Sequence, residues 1–143
     1  MIKETKNTKS EAKKTRPQGQ FFDALIFETP DVKFILQAIN VIAFYLECVS
    51  EFTAGKTDRD QNIEKALSCT DKFKKMIEDH KKNGKRSNIQ SINEFIMEAD
   101  IVNKIIKKYL NSKTAVDVEE SSELFSKLFR LQYILSVLRE ELK

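Results

Sequence analysis

Tryptophan is absent from this chain of 143 residues, histidine occurs once, at His80, and glycine and proline number only three and two. So few chain breakers exclude collagen-like and low-complexity architectures and leave little material for the turns of an all-β fold. Cysteine is nearly as scarce: Cys48 and Cys69 have no paired spacing, and no N-x-[ST] acceptor site occurs. Neither a disulfide framework nor a zinc site built on repeated Cys spacing is expected, and a reduced, cytoplasmic protein fits best. There is no Gly-rich phosphate loop and no Glu-x-x-His pair for a two-metal carboxylate bundle. Nucleophilic and metal-dependent catalysis therefore have little to draw on, so a non-enzyme with no cofactor and no metal is expected.

What the chain does contain is apolar and charged residues in ordinary globular proportion, 41% and 33%. Its length suits one domain with a single core. The net charge of +3 is uneven, because residues 1–17 hold six basic side chains against Glu4 and Glu11 and leave the remainder near neutral. Those residues lack an apolar period that could offset the cost of ordering the backbone, so 1–17 reads as a flexible basic tail and 18–143 as the domain.

The richest stretch is Val32 to Phe52, whose strongly polar residues are only Lys33, Gln37, Asn40, Glu47, Ser50 and Glu51. At 3.6 residues per turn all but Ser50 fall along one narrow stripe, which predicts a central helix buried around most of its circumference. A membrane span is not expected. Lys33, Gln37, Asn40 and Glu47 interrupt the window, and each charge near a bilayer centre costs a few kcal/mol.

Glycine and proline then mark the joints. After Pro17 and Gly19, the apolar block Phe21 to Phe27 predicts a short helix over about 21–28. Thr29-Pro30 opens a long helix over about 30–54 that ends near Gly55. Asp58 with Gln61 caps a second over 58–82, stopped by Asn83-Gly84. Ser87 with Gln90 opens a third over 88–111, and Asp117 with Glu120 a fourth over 117–142. On the fourth, Leu124, Leu128, Leu131, Leu135, Leu138 and Leu142 step by four and three as a bundle core requires. No period-2 run suggests a strand. The expected fold is all-α: an antiparallel up-down-up-down four-helix bundle with a short extra N-terminal turn.

Three groups of residues carry the functional readings. Met97, Ile101 and Ile105 on the third helix, with Phe125 and Phe129 on the fourth, widen the apolar faces beyond one seam. A surplus of that kind marks a protein interface, so a non-catalytic interaction module with a protein partner or a second copy is the leading expectation. Lys81, Lys82, Lys85 and Arg86 surround the second turn, which the topology places near the entry of the basic tail. Together they suggest polyanion contact and a nucleic-acid-associated role, although no aromatics interleave for base stacking. The stretch His80-Lys81-Lys82-Asn83-Gly84 resembles, at the His, the Gly and a nearby Lys, the H-x-[hydrophobic]-K-G motif of histidine phosphotransfer domains. It departs at the hydrophobic position and has Asn where that family has Lys. The resemblance implies a phosphoacceptor role for His80 on a four-helix bundle. Glu119-Glu120-x-x-Glu123 copies half of the pattern of helical nucleotide pyrophosphohydrolases, but no Glu-x-x-Asp follows. The helical ribonucleases need an Arg shortly before their His, and here the nearest upstream is Arg59.

Overall fold

A computed structural model describes residues 32–55, 58–83 and 89–142. They form four helices and no strand: α1 (Val32–Ala54), α2 (Arg59–Lys82), α3 (Gln90–Lys107) and α4 (Val118–Glu140). Contacts link α1 to α2, α2 to α3, α3 to α4 and α4 back to α1, the closed ring of a four-helix bundle. The expected tail over 1–17, the turn over 21–28, the Thr29-Pro30 start and the Ser87 cap lie outside the described residues.

The helix boundaries have local causes. Asp58 caps α2, its carboxylate accepting from the amides of Asp60 and Gln61 at 3.1 and 3.5 Å. Asp117 caps α4 in the same way, accepting from the Glu119 amide at 2.7 Å. Gly55, at φ +66°, closes α1 by donating to the carbonyls of Glu51 and Phe52. Helix α3 differs from expectation at both ends. Ile89 occupies its N-cap, where no side chain can accept a hydrogen bond, and the helix stops at Lys107. Beyond it the chain turns through Asn111, which adopts φ +62°.

One core runs through all four helices, with Tyr45, Phe34, Phe73, Phe95, Ile42 and Leu131 among its fully buried side chains. The leucine ladder of α4 turns inward from Leu124 to Leu138, and Leu142 packs against its edge. By length and composition α1 could cross a membrane, yet Phe34, Ile42, Tyr45 and Phe52 lie inside this core. It is also wetter than the sequence suggests. Leu36 and Phe44 are 48% and 45% exposed, on the same side as Gln37, Asn40 and Glu47.

A polar chain crosses the apolar interior. The buried Tyr45 hydroxyl of α1 lies 2.7 Å from Asn103 Oδ1 and 3.2 Å from the Ala99 carbonyl of α3. Asn103 Nδ2 in turn donates to Thr70 Oγ1 of α2 at 3.0 Å, and the threonine hydroxyl donates back to Leu67 and Ala66 of its own helix. Burial, reinforced by the nearby Cys69, Asp100 and Cys48, raises the Tyr45 phenol far above its ordinary range, so it stays protonated as a donor. Each polar atom in the chain thus has a partner supplied by a different helix or by a helical carbonyl, which fixes the register of α1, α2 and α3.

The turn between α3 and α4 is pinned from two sides. Arg59, at the start of α2, donates to the carbonyls of Ser112 and Thr114 and lies over the Tyr109 ring, while Asp60 accepts from the Asn111 amide. Glu120 accepts from both Lys108 and the Tyr109 hydroxyl, and that hydroxyl accepts from the Asp117 amide. Hydrogen bonds from Lys108 first and Tyr109 second hold the Glu120 carboxyl below its usual range, and the same partner raises Lys108.

Two outcomes follow from these polar contacts. Asn103→Ala removes one partner from each of the Tyr45 and Thr70 hydroxyls, which keep their helical carbonyls, so urea denaturation should show a loss of about 1–2 kcal/mol, and Tyr45→Phe one of about 1–1.5. Because both delete the same bond, the double variant should lose clearly less than the sum of the two. The lowered Glu120 carboxyl contributes stability that is complete above its unfolded-state range and disappears as pH falls through its folded-state value. Wild type should therefore lose an acid-dependent increment of stability that Glu120→Gln lacks, so the variant should show the flatter profile of melting temperature between neutral pH and pH 3.

Candidate interaction surface

The residues expected to form one apolar face separate in the structure. Met97, Ile101, Phe125 and Phe129 are exposed, at 66%, 38%, 52% and 73%. Ile105 is not: at 7% exposure it belongs to the core and must be removed from the surface. The cause is angular: each four-residue step turns the line by about 40°, so between Met97 and Ile105 it swings about 80° toward the inward face of Phe95, Val102 and Ile106.

The exposed residues also divide into two strips. The seam between α3 and α4 is occupied by ion pairs, Glu94 with Arg130 at 3.0 Å and Glu98 with Lys127 at 2.6 Å. These pairs run in opposite order along the two helices, as antiparallel neighbours do. On α4, Phe125 and Phe129 each point about 160° away from Lys127, so their strip faces away from that seam. Tyr133 continues it one turn further on, 58% exposed, with the Arg130 guanidinium 5.3 Å from its ring centroid. Phe125, Phe129 and Tyr133 therefore form a ladder at four-residue spacing along the outside of α4, bordered on one side by the charges of the seam. The sequence reading missed Tyr133, although the spacing from Phe125 and Phe129 pointed straight to it.

A second apolar surface lies between α1 and α2. Val41 and Phe44 face Cys69, Phe73 and Met76 across a cleft of about 520 Å³. Cys69 Sγ lies 3.6 Å from the Val41 carbonyl, and burial, aided by the proximity of Cys48, pushes its thiol up to about 11. Both cysteines are free, and Cys48 is buried.

The remaining candidates are less organised. Lys81 and Lys82 project from the last turn of α2, while Lys85 and Arg86 lie outside the described residues. The His80 ring stacks on Phe34 of α1, with centroids 4.0 Å apart and planes 7° from parallel. That packing ties the end of α2 to the start of α1 and covers one face of the imidazole. Among the described residues no group of His, Cys, Asp and Glu is placed to hold a metal ion. Comparison with protein-family models, with curated proteins and with solved structures finds no match to the chain.

Core and surface substitutions should separate these roles. Ile105→Ala should cost about 2–4 kcal/mol in chemical denaturation, whereas Met97→Ala, at an exposed site, should change stability by less than about 0.5 kcal/mol. Equal costs at the two positions would contradict the placement of Ile105 in the core and Met97 on the surface.

Proposed function

We propose that the chain is a non-catalytic helical-bundle interaction module that associates through the apolar strips on α3 and α4, with a second copy of itself as the partner. The observation that carries this reading is the exposed ladder of Phe125, Phe129 and Tyr133. Three aromatic rings held on a rigid helix lose little side-chain entropy on binding and exclude much water when covered, which is why aromatics anchor protein interfaces. The neighbouring Arg130, shared between Glu94 and the Tyr133 ring, supplies the polar border such an anchor usually has. Met97 and Ile101 add a smaller strip on α3. A helix face of this kind suits antiparallel pairing with its own copy, since an isologous contact lets the ladder cover itself.

Sedimentation equilibrium tests the proposal. Wild type should show a concentration-dependent dimer, and Phe125→Ser with Phe129→Ser should shift the dissociation constant at least about tenfold toward monomer, because each ring removes more than about 1 kcal/mol of apolar contact. The two positions are exposed, so the melting temperature of the monomer should hardly move. A wild-type chain that stays monomeric at several hundred micromolar would defeat self-association.

A further inference from the structure

We propose that the cleft between α1 and α2 is the docking site of the chain's own apolar segment Phe21–Phe27. The cleft is the natural place for an apolar occupant. Its walls come from Val41, Phe44, Phe73 and Met76, and Phe44 remains 45% exposed although it stands on the most apolar helix of the protein. A large side chain left wet at such a position, opposite a methionine and a second phenylalanine, forfeits apolar burial that a covering segment would recover.

Three properties of the segment match it to this surface. The first is composition: Phe21, Phe22, Leu25 and Ile26 recur at the spacing that places them along one helical face, and Phe27 follows. The second is charge. Between positions 21 and 31 the chain carries Asp23, Glu28 and Asp31 and no basic residue. The cleft rim carries Lys65 and Lys72 against the single carboxylate of Glu64, so an acidic, apolar strand of chain meets a basic border. The third is reach. Val41 and Phe44 stand nine and twelve residues above Val32, about 14–18 Å along the α1 axis. With Thr29-Pro30 expected to open the helix, the seven-residue block turns back directly and spans about 10 Å as a helix and up to about 23 Å extended, which brackets that distance. The segment can therefore fold back along α1 and lie over the cleft. Its tether gives it an effective concentration in the millimolar range, enough for a modest contact to stay formed. This inference concerns a different surface from the α4 ladder and stands or falls separately from it.

Cys69, which lines the cleft, reports on the cover, and the buried Cys48 serves as the internal control for the integrity of the bundle. The experiment measures alkylation of each cysteine by iodoacetamide at pH 8.5 in the full chain, read by mass of the peptides. Against wild type it sets the variant Phe22→Ser/Leu25→Ser/Ile26→Ser and, on the cleft side, Phe44→Asp at a half-exposed position. Both should speed modification of Cys69 about tenfold or more, since a tethered cover at millimolar effective concentration protects by at least that factor when its affinity is near 100 micromolar. Cys48 should be unchanged, and adding a synthetic peptide of residues 18–31 should protect Cys69 again in the triple-serine variant. Equal Cys69 rates in wild type and variants overturn the proposal. So does acceleration that Cys48 shares or that the peptide fails to reverse, because either reports loosening of the bundle. Protection that grows with protein concentration would assign the cleft to a second copy of the chain and overturn it too.

Discussion

The structure depends on keeping one phenol satisfied in a dry interior. Tyr45 is buried on the most apolar helix, and an unpaired hydroxyl there would cost about as much as a sizeable part of the domain's net stability. Asn103 of α3 and Thr70 of α2 answer it in sequence. Apolar packing alone tolerates many registers of four similar helices. A hydrogen-bonded chain through three of them tolerates one, because sliding any helix by a turn leaves polar atoms buried without partners. The Tyr45 ring adds an edge contact with Phe95, which meets Phe73 in the same manner, so the aromatic and polar layers share one level of the bundle.

Away from that level the ends are secured by other means. At one end His80 stacks on Phe34. At the other, Arg59 reaches from α2 to the carbonyls beyond α3, and Tyr109, Lys108 and Glu120 join α3 to the first turn of α4. Fixing both ends and the middle leaves the outward faces of the helices rigid. A rigid aromatic ladder on α4 and an apolar cleft between α1 and α2 are consequences of that rigidity, since neither surface can collapse inward to hide its own apolar side chains. The ion pairs Glu94–Arg130 and Glu98–Lys127 close the remaining seam between α3 and α4, which keeps the two apolar strips apart.

Much of the fold was legible in the chain. The caps at Asp58 and Asp117, the stop at Gly55 and the inward leucines of α4 all follow from local rules that tertiary contacts did not override. Other features were misread for identifiable reasons. The third helix stops at Lys107, sooner than its apolar period implies, and the chain then turns through Asn111 in the left-handed conformation. Ile105 continues the four-residue line of Met97 and Ile101, but that line drifts about 40° per step and carries it onto the buried face.

By itself the sequence determined that the described residues form four long helices around a single core and roughly where each begins and ends. Those properties reside in periodicity, capping and chain breakers, which act within a few residues. Only the tertiary structure decided which apolar residues stay wet and which polar ones are buried. Phe44 and Leu36 share a helix with Phe34 and Ile42 and differ from them in angle, and Asn103, a surface residue by type, stands half-buried where it bridges Tyr45 and Thr70. Such outcomes depend on where neighbouring helices pass, and that is set by the joint packing of all four.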